Sequence, residues 1–195
     1  MITSLKQLDL NAQYTYADYL TWQFQERVEL LHGKIREMSA PNRVHQGISL
    51  NLSRLFANAL WKSPCKVYAA PFDVRLTPFS QVKNTAVITV VQPDLCVICD
   101  PAKLDDKGCI GAPDLAIEIL SPGNSKTEMK DKFDLYEEAG VLEYWIVFPG
   151  ERSVQIFNLN EEGRYIGLQP NIESDIVTTP IIPGLEVDLK DVFNV

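Results

Sequence analysis

The chain has 195 residues, 46% of them hydrophobic, and a net charge of −8. This length and apolar content are enough for the core of one domain, and the acidic balance argues against a protein that coats nucleic acid with a basic face. No apolar run reaches the roughly 18 residues that cross a bilayer, and the N-terminus lacks the layout of a signal peptide. We therefore expect a cytoplasmic protein that makes no membrane contact.

The first third of the chain predicts a short helix, a β-hairpin and a long helix. A capping-box pattern at residues 15–18 predicts a helix that ends near Gln25. Residues 27–39 form two extended runs around His32-Gly33, which is typical of a hairpin. Apolar residues then recur at helical spacing over residues 42–61, so we expect an amphipathic helix there.

The middle of the chain is rich in β-like runs. We expect strands at residues 66–70, 72–76, 86–91 and 95–99, followed by a polar loop at 101–111. The next run, DLAIEIL at 114–120, is apolar on both faces, which is typical of a strand in the centre of a sheet.

The next part of the chain predicts a β-α-β crossover. Residues 121–124 break the apolar strand, and Asn124 or Ser125 is a candidate N-cap for a helix that ends at Gly140. A strongly apolar strand at 143–148 then predicts right-handed, parallel pairing. Met129, Phe133 and Tyr136 should form the inner stripe of the helix. The remaining residues read as antiparallel strands, so the sequence predicts an α/β fold with a mixed sheet in one domain spanning residues 1–195, of which 1–13 are an N-terminal extension.

The cysteines are Cys65, Cys96, Cys99 and Cys109. Cys96 and Cys99 have C-x-x-C spacing, but they lie on a predicted strand, where side chains three apart point to opposite faces and cannot share a metal. We therefore expect buried free thiols and not a zinc site.

Glu118 and Asp94 are the most informative polar residues. Glu118 is the ionisable group of an apolar strand, and burying an unpaired carboxylate costs on the order of 5 kcal/mol, so it needs a cation, a basic partner or a raised pKa. A surface ion pair near the strand end is the structural alternative. Pro93-Asp94 alone is common at turns, but with Glu118 it supplies two oxygen-donor side chains of the kind that Mg²⁺ takes from proteins.

These residues lie within segments that resemble the Uma-two family of restriction endonucleases, in the PD-(D/E)XK nuclease superfamily. The resemblance spans roughly residues 14 to 190. The segments are VELLHGKI, HQGISLNLSRLFANAL, PFDVRL, VQPDLCVICDPAKLDDKGCIGAPDLAIEILSPGNS, DKFDLYEEAGVLEYWIVFP and PIIPGLEVDL. The resemblance implies a restriction-endonuclease-like mixed sheet flanked by helices, with additional antiparallel strands, and a cation held by Asp94 and Glu118.

The chain departs from the superfamily pattern at the lysine two residues after the second acid, where it has Leu120. Residue 120 shares a sheet face with Glu118, but leucine cannot orient water. Lys132 on the following helix is our candidate for the missing ammonium group, which the resemblance supports because the family often has a lysine there. The alternatives are Lys126, Lys130, or a Lys132 that is a solvated helix residue.

Six further residues carry weaker expectations. Glu29 follows the first helix, where superfamily members place an acidic residue near the metal, but it could equally be a hairpin-edge charge. His45 could contact a phosphate or a carboxylate, although a lone helical histidine is more often structural. We expect Asp73 to pair with Arg75 and Tyr144-Trp145 to pack in the core.

The expected function is metal-dependent hydrolysis of a nucleic-acid phosphodiester, with DNA as substrate and Mg²⁺ or Mn²⁺ as cofactor. The catalytic residues would be Asp94, Glu118, Lys132 and Glu29, of which Asp94 and Glu118 would bind the metal. Duplex cleavage needs two active sites, which favours a homodimer. The alternative is a nuclease-fold binding or regulatory module without activity, favoured by Leu120 and the acidic charge.

Overall fold

The computed structural model describes residues 1–77, 84, 86–121 and 126–195. Its α-helices in those ranges are α1 (Tyr16–Tyr19), α2 (Arg43–Ala59), α3 (Lys126–Ala139) and α4 (Leu189–Val192), and short 3-10 turns lie at Leu5–Gln7 and Pro101–Lys103. Within the same ranges, no helix combines the length and the apolar character that crossing a membrane would require.

Fifteen strands lie in the described ranges. In chain order they are β1 (Val28–Leu31), β2 (Lys34–Glu37), β3 (Lys66–Ala69), β4 (Val74–Arg75), β5 (Val90–Val91), β6 (Leu95–Ile98), β7 (Leu104–Asp105), β8 (Gly108–Ile110), β9 (Leu115–Ile119), β10 (Glu143–Phe148), β11 (Ser153–Leu159), β12 (Tyr165–Gly167), β13 (Asn171–Ile172), β14 (Ile176–Thr178) and β15 (Glu186–Asp188).

The strands form three sheets. The largest has the order β12-β11-β10-β9-β6-β3, with β13 also pairing β11. A second sheet has the order β2-β1-β5-β4-β8-β7, and β14 pairs β15. Strands β9 and β10 are parallel and are joined through α3, whereas β9 and β6 are antiparallel. The predicted β-α-β unit and mixed α/β class are therefore confirmed.

Alternating side chains of the largest sheet enter two hydrophobic clusters, because successive residues of a strand point to opposite faces. On β6, Leu95 and Val97 pack in the cluster that contains α2 and α4. Cys96 and Ile98 pack in the cluster on the α3 side. On β9, Ile117 packs in the first cluster and Ala116 in the second, so the predicted burial of this strand on both faces is confirmed.

Two local predictions differ from the structure, and one cannot be compared with it. The capping box of Thr15 and Asp18 is present, but α1 ends at Tyr19 and not near Gln25. The predicted loop at 101–111 contains β7 and β8, because β8 finds a parallel partner in β4. The N-cap candidates Asn124 and Ser125 lie outside the described residues, whereas the helix end at Gly140 is confirmed by its φ of +83°.

The cysteine prediction was half right. Cys96 and Cys109 are buried free thiols, but Cys65 and Cys99 form a disulfide. The pairing of Lys66 with Ile98 on antiparallel β3 and β6 places Cys65 opposite Cys99 one step further along the ladder. Side chains directly opposite each other in an antiparallel pair share a face, so this register, and not sequence spacing, brings the two sulfurs together.

Candidate active site

Asp94 and Glu118 face each other across two antiparallel strands. Leu95 of β6 pairs with Ile117 of β9, so the next step of the ladder sets Asp94 opposite Glu118 and on the same face. The Ile119 N–H donates a 2.8 Å hydrogen bond to Oδ2 of Asp94. The side chains are 15% and 14% exposed and line the same pocket. Backbone pairing therefore brings together the two acidic residues that the sequence singled out.

Lys132 reaches this pair from α3. Its Nζ donates to Oε1 of Glu118 at 2.8 Å and to Oε1 of Glu29 at 2.7 Å. We call Glu29, Glu118 and Lys132 the carboxylate–lysine cluster. The Lys132 side chain is only 15% exposed, so it is not a solvated helix lysine. The two competing positions do not point inward: Lys126 is exposed and Lys130 pairs with Asp134 on the surface.

Glu29 belongs to the buried face of the hairpin. It lies on β1 with 2% of its surface exposed, so it is not a hairpin-edge charge. Besides Lys132, its Oε1 accepts a 2.7 Å hydrogen bond from the backbone N–H of Gln92. The second sheet thereby delivers one carboxylate to a cluster whose other members come from the largest sheet and α3.

Burial controls the protonation of the cluster. Desolvation raises the pKa of Glu118 to about 7, against the opposing charge of Lys132 and with a further increase from Asp94 and Glu29. Burial lowers the pKa of Lys132, but the charges of Glu118 and Glu29 outweigh it, and the net pKa lies above its usual value. Because its pKa is raised, Lys132 is protonated at neutral pH. Glu118 has a second partner, since the Tyr136 hydroxyl donates to its Oε1 at 2.6 Å.

His45 contacts one of the two acidic residues of the site, although the sequence favoured a structural role for it. It lies on α2, and its Nε2 is 3.2 Å from Oδ2 of Asp94. Burial lowers the pKa of His45, but the hydrogen bond and charge of Asp94 outweigh it and the net pKa is raised. The signal was available, since His45, Ile48, Leu52 and Phe56 form the buried face of the helix at helical spacing.

A polar network continues behind Glu29. Oε1 of Gln92 accepts from Nε and Nη2 of Arg27 at 3.1 and 2.8 Å. Nε2 of Gln92 donates to Oδ1 of Asp73 at 2.9 Å and to the Tyr19 hydroxyl at 3.2 Å. Nothing in the spacing of these residues along the chain indicates this network, which depends on β1 pairing with β5.

The predicted pair of Asp73 and Arg75 is wrong. Arg75 donates to the side chain of Asp105 at 2.9 Å, because β8 pairs with β4 and β7, which carries Asp105, pairs with β8. Asp73 instead accepts from Tyr16 at 3.0 Å and from Gln92. Tyr144 and Trp145 are buried in the two core clusters, as predicted, although Tyr144 also borders the pocket.

The pocket above these groups has a volume of about 310 Å³. Its wall includes Leu120, which stands where the superfamily pattern has lysine, so the wall is apolar at that point. The acidic, basic and imidazole side chains described above also line it: Glu29, His45, Asp94, Glu118 and Lys132. These five side chains therefore line one pocket.

The donor set of the pocket fits a hard divalent cation held by few protein ligands. Within the described ranges, no group of three or more His, Cys, Asp or Glu side chains is arranged to hold a metal. In the same ranges, the side-chain hydrogen bonds of Asp94 fall on Oδ2 and those of Glu118 on Oε1, so each carboxylate has a second oxygen for a cation. Mg²⁺ commonly takes one or two carboxylates, with waters and substrate phosphate completing its shell.

Comparison with known proteins agrees with this fold. A protein of Synechocystis sp. (strain ATCC 27184 / PCC 6803 / Kazusa), "Uncharacterized protein slr1290", is 29% identical over 152 residues, which is 76% of each chain. A crystal structure described as "a putative nuclease belonging to DUF820" from Anabaena variabilis ATCC 29413 matches with a TM-score of 0.70 at 19% identity, covering 92% of this chain and 97% of that one. The likeness shows a shared fold.

A family model also matches most of the chain. The model described as "Uma2: Putative restriction endonuclease" matches residues 16–190, which contain all the residues of the candidate active site. The chain therefore belongs to the Uma2 family of restriction-endonuclease-like proteins.

Proposed function

We propose that this protein is a metal-dependent endonuclease that hydrolyses phosphodiester bonds in nucleic acid, with DNA as its substrate. Asp94 and Glu118 would hold Mg²⁺ or Mn²⁺, while Lys132 and Glu29 complete the catalytic group. The observation that carries the proposal is the placement of Asp94 opposite Glu118, with the Lys132 ammonium 2.8 Å from Glu118 in one pocket. Membership of the family and the nuclease fold support it.

The cation, when bound, supplies Lewis-acid polarisation of the phosphate and makes water easier to deprotonate. Side chains of the protein would perform the remaining steps. The Lys132 ammonium, protonated at Nζ, would orient the attacking water or stabilise negative charge developing on phosphorus. Glu29 holds Nζ in place at 2.7 Å, so the ammonium is positioned before substrate arrives.

Plasmid nicking tests this function. Wild type should convert supercoiled DNA to nicked or linear forms with Mg²⁺ or Mn²⁺ and not with EDTA. Glu118→Gln should lower the rate by 100-fold or more, on the order of a lost electrostatic contact in a transition state. Glu138→Gln removes the same charge from an exposed position on α3 and should leave the rate unchanged. Equal rates for wild type and Glu118→Gln would defeat the proposed site.

Cleavage of both strands of a duplex requires two active sites, so we propose that the active form is a homodimer. Light scattering should then give a mass near twice the 22.0 kDa of one chain. A monomeric mass together with linear product from single binding events would contradict the dimer.

A second candidate function is a nuclease-fold binding or regulatory module without turnover. Leu120 favours it, because this wall residue cannot supply the ammonium group of the superfamily pattern. Tight DNA binding without product in Mg²⁺ or Mn²⁺, and unaffected by Lys132→Ala, would support the module. Product formation that Lys132→Ala abolishes would support the enzyme.

A further inference from the structure

Arg27 differs from the other cations of the pocket in the partner that holds it. Lys132 is bound by two carboxylates, and Arg36 pairs with Asp131 at 2.9 Å. Arg27 is held by the neutral amide of Gln92, and no ion pair joins it to any carboxylate within the described residues. Among the residues that the structure describes, no bound carboxylate therefore cancels its positive charge.

The Gln92 amide fixes the direction of the Arg27 guanidinium. A carboxylate can only accept hydrogen bonds, so the contact with Asp73 requires the amide nitrogen of Gln92 to face Asp73 and its oxygen to face Arg27. That oxygen accepts from two of the five guanidinium N–H donors. In the part of the chain that is described, the other three donors carry no hydrogen bond, and Arg27 lines the pocket.

Arg27 is also adjacent to the carboxylate–lysine cluster. It lies two residues before Glu29 in the extended hairpin arm, so the side chains project to the same side, roughly 6.6 Å apart along the chain. Gln92 contacts both residues, through its side chain to Arg27 and its backbone N–H to Glu29. An anion bound by Arg27 would therefore lie next to the proposed catalytic group.

We propose that Arg27, presented by Gln92, is a binding site for a phosphate group of the substrate strand, an inference that rests on the proposed function for its ligand class. A planar guanidinium with free paired donors suits a phosphate oxyanion better than a point charge does. In a chain of net charge −8, such a site supplies locally the attraction that the overall charge does not.

The test measures binding without turnover. A fluorescein-labelled 12-base DNA, single-stranded and as a duplex, is titrated in EDTA over a range of salt concentrations, and the form that wild type binds more tightly is used. Arg27→Gln should weaken binding about tenfold or more and reduce the slope of log K against log salt by about 0.7 for a single strand or 0.9 for a duplex. Arg27→Lys should keep most of the slope but lose affinity, because the bonds to Gln92 require a guanidinium.

Arg54→Gln is the matched control, because it removes the same charge from an exposed position of α2 outside the pocket lining. Its salt slope should equal that of wild type. Equal slopes for Arg27→Gln and wild type, or no DNA binding by wild type at low salt, would overturn the proposal. Plasmid nicking is measured separately. If DNA binding depends on Arg27 but the protein never cleaves DNA, the phosphate site is supported and the proposed endonuclease function is refuted.

Discussion

Replacing Lys132 by Met removes the cation that the two carboxylates Glu29 and Glu118 share. Removing one partner of a buried ion pair costs about 3–5 kcal/mol, and we take the lower end, because the 15% exposure of Lys132 allows some water to replace it. A loss of about 3 kcal/mol corresponds to a fall in Tm of roughly 6–12 °C for a domain of this length. Urea unfolding in EDTA, followed by tryptophan fluorescence, to which the buried Trp145 contributes, measures the loss.

The same experiment includes its own control and a coupling test. Lys130→Met, an exposed lysine on the same helix, should change stability by no more than about 0.5 kcal/mol. In a Glu29→Gln, Glu118→Gln background, Lys132→Met should cost at least about 1 kcal/mol less than in wild type, because no charge is left unpaired. A Lys132→Met protein as stable as Lys130→Met, or equal costs in both backgrounds, would refute the cluster.

Three further predictions concern pH and backbone. Because the pKa of Glu118 is raised to about 7 in the folded protein, its protonation stabilises the fold fully below about pH 4.5, and this contribution is lost as pH rises through about 7. Urea unfolding should therefore show that wild type loses stability relative to Glu118→Gln over this pH interval. A constant difference in stability between the two proteins would contradict the raised pKa. Because the pKa of His45 is raised in the folded protein, its protonation stabilises the fold below the ordinary pKa of 6.5, and this contribution is lost as pH rises through the higher pKa of the folded state. In the same assay, His45→Gln should therefore lower the free energy of unfolding more at pH 6 than at pH 9. The reverse order would refute the ion pair of His45 with Asp94. Gly108→Ala would place a Cβ in collision with the backbone carbonyl oxygen of Asp73, so thermal melts should show a much larger loss of stability than for Gly163→Ala, whose φ is also positive but whose Cβ would meet open space. Equal losses would contradict the packing of β8.

Features fixed by neighbouring residues could be predicted from the sequence. The hairpin turn at His32-Gly33 has the positive φ values of 49° and 81° that a tight two-residue turn needs. The long helix begins at the N-cap Asn42, whose side chain accepts from His45 N–H, within a residue of the predicted start. These elements depend on local propensity and on apolar periodicity, which one sequence displays.

Features fixed by long-range pairing could not be predicted. The disulfide of Cys65 with Cys99 depends on the register of β3 against β6, and the Arg75–Asp105 pair depends on β7 and β8 forming beside β4. The same applies to the hydrogen bond between Gln92 and Glu29, which are 63 residues apart. Sequence spacing does not determine which strands become neighbours or in what register.

The proposed site combines both kinds of feature. Glu118 could be singled out because an ionisable residue in an apolar strand needs a partner, and Lys132 because its helical position borders the inner stripe. The contact of His45 with Asp94 follows from the packing of α2 against the largest sheet, which the sequence does not specify.

We propose above all that Asp94 and Glu118 bind one divalent cation. A crystal soaked in Mn²⁺ tests this proposal most directly, through anomalous scattering. We predict one anomalous peak in the pocket, from an ion bound by one oxygen of each carboxylate. That peak should disappear in Glu118→Gln. A soaked crystal with no peak between the two side chains, or with the Mn²⁺ bound elsewhere on the chain, would contradict it.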